Sequence, residues 1–104
     1  MSVYCVVQFT VTDPSWLASY GENVTKMVEA QGGKYLARTS EIEAIEGSAA
    51  DGSLVVLLEW NSKDDAVAFY ESEEYAPFKE ARIAGSDGNF LLITGKDDLG
   101  LATN

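Results

Sequence analysis

The sequence predicts a single α+β domain whose strands and helical segments follow the order β-α-β-β-α-β. Runs rich in β-branched residues alternate with segments whose apolar residues recur at helical spacing. The length of 104 residues corresponds to one domain, and a hydrophobic content of 46% is sufficient for a core. We therefore expect residues 1–95 to form the domain and residues 96–104 to form a polar C-terminal tail.

The first third of the chain is typical of a strand followed by a helix. Residues 3–11 are rich in β-branched side chains, which favours a strand. Asp13 is a good helix N-cap, and Pro14 suits the first helical position. The glycine pair at 32–33 ends the helix, because glycine readily adopts the left-handed C-cap conformation. One apolar face predicts a helix over residues 14–31: Leu17, Tyr20, Val24, Met27 and Val28.

The middle of the chain predicts two strands joined by a loop. Residues 34–45 indicate the second strand, and the small, acidic residues of 46–53 indicate the loop. The apolar run over 54–60 is the strongest strand signal in the chain. Ser62 then precedes Asp65 by three residues, which approaches a capping box and predicts the start of a short helix.

The last third predicts a second helical region and a final strand. Ser72 is a further candidate N-cap, and Pro77 marks a break before a helical piece that ends near Ala84. Residues 85–88 have the composition of a turn, and residues 90–94 that of the last strand. This order is ferredoxin-like, with a four-stranded antiparallel sheet that carries both helical regions on one face.

Apolar residues on both faces of the strands predict that this sheet needs a partner. In the third strand, Val56 and Leu58 point to one face, while Val55 and Leu57 point to the other. A sheet with one face in water would alternate apolar and polar residues, and two helices can cover only one face. We therefore expect a homodimer formed through the open face. The alternative is a monomer whose tail folds across that face.

Composition restricts the classes of partner, cofactor and reaction. The net charge of −10, from 7 basic and 17 acidic residues, disfavours nucleic acid and anionic membranes as partners. The absence of histidine disfavours Ser-His-Asp catalysis and the usual zinc and haem sites, so we expect no cofactor and no metal. The single cysteine, Cys5, lies in an apolar run and is expected to be buried. With no secretion signal or membrane-spanning segment evident, we expect a cytoplasmic protein.

Five segments of the sequence resemble a known family. They are residues 33–38 (GKYLAR), 46–47 (EG), 55–60 (VVLLEW), 66–75 (AVAFYESEEY) and Arg82. Together they resemble domain-of-unknown-function family thirteen-thirty, over most of the chain. The resemblance implies a dimeric α/β-barrel fold and implies no particular activity.

An arginine on the second strand is the leading candidate for ligand binding. If the loop at 46–53 closes a hairpin, Arg38 falls opposite Trp60 and beside Glu59. Arg38 would then hold a small carboxylate while Glu59 orients the guanidinium. The alternative is a structural ion pair between Arg38 and Glu59 at the end of the sheet.

Four further residues are candidates with weaker support. Tyr70 and Tyr75 match the tyrosines of the family pattern, and each either lines a pocket or packs in the core with its hydroxyl satisfied. Arg82 either faces a pocket or pairs with an acidic residue, Glu74 or Glu80 among them. Glu46, like Glu59, is a candidate for acid–base catalysis, although it can equally fix the loop.

These candidates support two hypotheses about function. In the first, a compact organic acid or aromatic molecule binds between the sheet and the helices, or inside the barrel of the dimer. Its chemistry would be proton transfer by a carboxylate or cofactor-free oxygen chemistry. In the second, the protein is a non-catalytic dimeric module with a regulatory or interaction role.

Overall fold

The computed structural model describes residues 2–103 of the chain and shows four strands and three α-helices. Met1 and Asn104, the first residue of the predicted domain and the last of the predicted tail, lie outside the described residues. In chain order the elements are β1 (Val3–Val11), a short 3-10 helix (Pro14–Trp16), α1 (Leu17–Ala30), β2 (Lys34–Thr39), β3 (Ser53–Trp60), α2 (Lys63–Tyr70), α3 (Ala76–Ala84) and β4 (Ser86–Thr94).

The four strands form one antiparallel sheet in the order β2-β3-β1-β4. The central strand β1 aligns Val7 with Val56 of β3 and with Phe90 of β4. The helices pack on one face of the sheet, which we call the covered face; the other is the open face. The predicted ferredoxin-like α+β fold is therefore confirmed.

Side-chain caps start the 3-10 helix and α2 where the sequence predicts. The Asp13 carboxylate accepts a hydrogen bond of 3.0 Å from the backbone N–H of Ser15, and the chain then passes through the 3-10 turn into α1. The Ser62 hydroxyl accepts a bond of 3.1 Å from the Asp65 N–H at the start of α2. Because each cap satisfies an N–H group that has no partner within its helix, the helix begins at a defined residue.

Two strand boundaries differ from the prediction. β2 ends at Thr39, which aligns with Val55; β3 begins at Ser53, so it offers no partner that would carry the ladder as far as Ile45. β4 begins at Ser86, inside the predicted turn. Gly88 pairs with Phe9, and a side chain at that position would collide with the β1 backbone. This glycine marks a close approach between strands and not a turn.

The two faces of the sheet differ strongly in exposure. The covered face carries most of the core, and Cys5 is buried there as predicted. On the open face, by contrast, Leu91 is 53% and Ile93 is 47% exposed. Leu99 and Leu101 of the tail are 79% and 77% exposed, so their side chains do not cover that face. Within residues 2–103, none of the helices has the length and apolar composition that a membrane crossing requires.

Candidate ligand site

An apolar cavity of about 180 Å³ lies between α1 and the covered face, and we call it the α1–sheet cavity. An engineered apolar cavity of about 150 Å³ stays dry and takes up benzene. The α1–sheet cavity therefore has room for a single ring. Much of its wall is aliphatic or aromatic: Val7, Val24, Val28, Val56, Leu58 and Phe69.

Arg38 stands at the mouth of this cavity, since it lines the cavity and is exposed to solvent. Its Nη1 donates a bond of 2.7 Å to Thr25 Oγ1, and that hydroxyl donates a bond of 2.6 Å to the Gly21 carbonyl. The guanidinium carbon lies 4.2 Å from the centre of the Tyr35 ring. Thr25 and Tyr35 thus fix the guanidinium while leaving N–H donors available to a ligand.

The predicted pair between Arg38 and Glu59 is wrong. Arg38 aligns with Val56, on the covered face, whereas Glu59 aligns with Lys34 on the open face. The prediction placed Arg38 opposite Trp60, four residues further along β3, and it fails because β2 ends at Thr39 and the connection to β3 is longer than the predicted loop. Glu59 therefore cannot orient the Arg38 guanidinium.

Tyr75 and Arg82, two of the predicted site residues, are both buried and meet next to Tyr20, a residue of the cavity wall. Arg82 Nε lies 3.4 Å from the Tyr75 hydroxyl. That hydroxyl lies 2.6 Å from the hydroxyl of Tyr20, which lines the cavity. The sequence analysis placed Tyr20 in the apolar face of α1 and missed its hydroxyl. The available signal was a hydroxyl-bearing ring in a helix face whose other members are aliphatic or Met.

Arg82 is the most unusual charge in the described structure. Its side chain is 7% exposed, and the predicted ion pairs with Glu74 and Glu80 are absent. In residues 2–103, no carboxylate oxygen lies within 4.0 Å of a guanidinium nitrogen of Arg82 or of Arg38. The Arg82 guanidinium carbon instead lies 5.4 Å from the centre of the Phe90 ring. A buried cation without a carboxylate is costly in most proteins.

Burial also changes the proton affinities of groups around the cavity. It raises the pKa of Tyr20, and the neighbouring Tyr75 adds to this effect. Burial likewise raises the pKa of Tyr35. Burial opposes the charge on Arg82, yet its pKa is raised on balance, because the tyrosine oxygens face the guanidinium. Because each pKa is raised above its ordinary value of 10.0, Tyr20 and Tyr35 are neutral hydrogen-bonding groups at pH 7.

The remaining predicted residues lie away from this cavity. Tyr70 borders a separate groove beside β4, and its ring centre lies 5.1 Å from that of Phe90. Glu46 is exposed in the irregular segment 40–52. The wall of the α1–sheet cavity contains no carboxylate in the part of the chain that the structure describes. The two glutamates proposed as acid–base catalysts, Glu46 and Glu59, are not among the residues that line it.

A wider open cleft of about 660 Å³ adjoins the cavity and shares Leu17 and Leu54 with it. Its outer wall includes Ser40, Ile42 and residues 49–52 of the irregular segment. The cleft is therefore a solvent-open space next to the cavity, with Leu17 and Leu54 in the walls of both.

Comparisons with known proteins agree with this architecture. Residues 2–96 match the family described as Domain of unknown function (DUF1330), which confirms the predicted resemblance. No curated protein matches the chain. SnoaB, a cofactor-independent oxygenase from Streptomyces nogalater, is similar in structure at 23% identity, with 94% of this chain and 96% of that chain covered and a TM-score of 0.68.

Two other solved structures are similar in fold. RPA0582, a protein of unknown function from Rhodopseudomonas palustris, has 17% identity, coverage of 92% and 83%, and a TM-score of 0.74. A NIPSNAP domain protein from Burkholderia xenovorans has 11% identity, coverage of 94% and 97%, and a TM-score of 0.61. At these identities the similarity concerns the fold alone.

Proposed function

We propose that this chain, which belongs to the family Domain of unknown function (DUF1330), is a homodimeric protein that binds a compact aromatic or other organic acid. The ligand occupies the α1–sheet cavity, and its carboxylate meets the guanidinium of Arg38. The observation that carries the proposal is this guanidinium, held at the mouth of an apolar cavity and free of any carboxylate in residues 2–103.

The charge balance of the protein makes the unpaired guanidinium informative. Acidic residues outnumber basic ones by 17 to 7, so a structural partner for an exposed arginine is easily supplied. Arg38 instead donates to a neutral hydroxyl and stacks on a tyrosine ring. A planar guanidinium presents paired donors that match a carboxylate, which favours an acid as the ligand.

The proposed dimer forms through the open face of the sheet. That face exposes a continuous group of apolar side chains across β1, β3 and β4, and the tail leucines do not cover it. A second copy of the chain buries the same group of side chains on each protomer, as a twofold interface requires. The apolar members are Tyr4, Val6, Val55, Leu57, Leu91 and Ile93.

Catalysis is a second candidate function, in the form of cofactor-free oxygen chemistry on the bound aromatic. Its support is the similarity in fold to SnoaB, a cofactor-independent oxygenase, and the absence of carboxylates from the described cavity wall. Protein-dependent consumption of dioxygen, measured with an oxygen electrode in the presence of a bound aromatic acid, tests this candidate. If the dioxygen concentration does not fall, catalysis is excluded for that ligand and the proposal is reduced to binding alone.

Calorimetry with benzoate tests the binding proposal. Arg38→Ala removes a charge-assisted hydrogen bond worth about 1.5–3 kcal/mol, so benzoate should bind roughly 10- to 100-fold more weakly. Benzyl alcohol, which keeps the ring but lacks the charge, should bind equally to both proteins. Lys34→Ala is the matched control, because Lys34 is a cation of the same strand on the open face.

Two results would contradict the proposal. Equal affinity of benzoate for the wild-type protein and Arg38→Ala would remove Arg38 from the site. Failure of both probes to bind the wild-type protein would leave the cavity unoccupied and favour the non-catalytic interaction module instead.

A further inference from the structure

We propose that Arg82, Tyr75 and Tyr20 form a directed hydrogen-bond chain that presents the Tyr20 hydroxyl to an oxygen of the ligand at the buried end of the cavity. This inference rests on the proposed binding of an aromatic acid there. It narrows the ligand class to aromatic acids that carry a ring hydroxyl, bound with that hydroxyl as the phenolate.

The direction of the chain follows from the donors and acceptors available. Arg82 Nε can only donate, so the Tyr75 oxygen accepts from it at 3.4 Å. Tyr75 is fully buried, with 0% exposure, and the only other partner of its hydroxyl in residues 2–103 is Tyr20, at 2.6 Å. A buried hydroxyl rarely leaves its hydrogen without an acceptor. Tyr75 therefore donates to Tyr20.

This arrangement leaves the hydrogen of the Tyr20 hydroxyl without an acceptor in the described structure. Tyr20 is half-buried and lines the cavity, so an oxygen atom of a ligand there can complete the chain. Each hydroxyl that donates also becomes a stronger donor when it accepts from a charged group. The Arg82 charge thus acts on the ligand through two tyrosines.

The unpaired charge of Arg82 explains why the ligand oxygen should be anionic. A guanidinium that is 7% exposed and has no carboxylate within 4.0 Å in residues 2–103 leaves a net positive charge beside the cavity. A ligand phenolate that accepts a hydrogen bond from the Tyr20 hydroxyl supplies the missing negative charge. That hydrogen bond is charge-assisted. A neutral ligand oxygen would leave the buried cation uncompensated.

The positions of Tyr20 and Arg38 set the shape of the ligand. Arg38 is bonded to Thr25, five residues after Tyr20 on α1, so the backbone positions of Tyr20 and Thr25 are roughly 7.5 Å apart along the helix axis at about 1.5 Å per residue. The cavity has two polar groups, Arg38 and the Tyr20 hydroxyl, and an otherwise largely apolar wall. A single ring with a carboxylate and a hydroxyl at opposite positions matches this arrangement. The structure thus favours 4-hydroxybenzoate over benzoate.

An absorbance titration of 4-nitrophenol bound to the full chain tests this inference, because its phenolate is coloured and its phenol is not. We expect the pKa of the bound probe to be about one unit higher in Tyr20→Phe than in the wild-type protein. In Tyr75→Phe the Tyr20 hydroxyl loses its hydrogen bond from Tyr75, while the Arg82 charge still acts on Tyr20, so the pKa of the bound probe should rise by a smaller amount. The other titratable or charged groups that line the cavity, Tyr35 and Arg38, are unchanged in both variants.

Tyr70→Phe is the matched control. Its ring centre lies 6.0 Å from that of Tyr75, but Tyr70 does not line the cavity and its hydroxyl has no part in the chain. The bound probe should therefore titrate as in the wild-type protein. If Tyr75→Phe fails to fold, Tyr20→Phe carries the test, because Tyr20 is only half-buried.

The outcomes separate this inference from the proposed function. An unchanged pKa in Tyr20→Phe would overturn the hydrogen-bond chain while leaving the binding site intact. The hydrogen-bond chain would also be overturned if benzoate binds, 4-nitrophenol does not bind and 4-hydroxybenzoate binds no better than benzoate. If benzoate, 4-hydroxybenzoate and 4-nitrophenol all fail to bind, the proposed function fails together with the inference.

Discussion

Leu57 and Leu58 are neighbours in β3, yet they lie in opposite environments. Leu58 is 3% exposed on the covered face, whereas Leu57 is only half-buried on the open face. The sequence gives both positions the same residue type, so hydrophobicity alone does not distinguish them. The difference arises because the helices pack on one side of the strand only. A second apolar face without helices therefore indicates a surface that is completed by another molecule.

The covered face also holds the groups whose pKa is raised by burial. Cys5, Tyr20 and Tyr35 all have a pKa raised by burial, and all three lie in or against this layer. Four experiments break or sharpen the comparison of the two faces, and the largest effect is expected at Leu58.

Leu58→Ala should lower the free energy of unfolding by about 2–5 kcal/mol, because it removes fully buried methyl groups and leaves a cavity. Leu57→Ala, one residue away, should cost less, and its cost should depend on protein concentration if the open face is a dimer interface. Urea denaturation at two protein concentrations measures both effects. Equal, concentration-independent losses would contradict the contrast between the faces.

Leu91→Asp should weaken the proposed dimer by at least roughly a hundredfold, because burying an unpaired carboxylate against an apolar surface costs several kcal/mol. Light scattering at micromolar protein should then report the mass of one chain. Leu101→Asp makes the same exchange in the exposed tail and should leave the mass unchanged. A wild-type protein that is already monomeric would refute the dimer.

Raising the pH should destabilise the covered face. Buried Tyr20 keeps its proton in the folded chain, while the unfolded chain releases it near the ordinary tyrosine value of 10.0. Buried Cys5 behaves in the same way relative to its ordinary value of 9.0. Stability is therefore full below about pH 9 and falls as the pH rises, by about 1 kcal/mol at pH 11 from one such tyrosine. Urea denaturation should show this fall, and Tyr20→Phe should reduce it.

Gly21→Ala should have the smallest effect, a gain of about 0.5–1 kcal/mol in the free energy of unfolding. Gly21 lies inside α1, and a methyl group there would meet no heavy atom within 4 Å. Alanine restricts the unfolded chain more than glycine does. Thermal unfolding measures the gain, and a lower melting temperature would show that the cavity wall cannot accept the methyl group.

Sequence patterns predicted the order of elements and the caps of the helices well, because these features depend on neighbouring residues. Asp13 and Ser62 cap the helix starts as expected. The register of β2 could not be predicted, because the bulge between Tyr35 and Ala37 has no distinct residue signature. The early end of β2 at Thr39 places Arg38 opposite Val56 instead of Trp60, and this removes Glu59 from the site.

The candidate site shows the same limit. Tyr75 and Arg82 were named from the family pattern, and they do meet in space. Tyr20 reaches them from a different helix, over a sequence separation of 55 residues from Tyr75. Apolar periodicity assigns Tyr20 to a packed face and gives no information on its hydroxyl. Only the packing of α1 against α3 brings the two hydroxyls together.

The α1–sheet cavity and the proposed interface lie on opposite sides of one sheet, which has a consequence for occupancy. In the proposed dimer each chain encloses its own proposed binding site, so we expect two chains to take up two ligand molecules. Saturation should follow a simple hyperbola, and dilution that separates the subunits should not release what they hold. Selection can then modify the pocket without disturbing assembly.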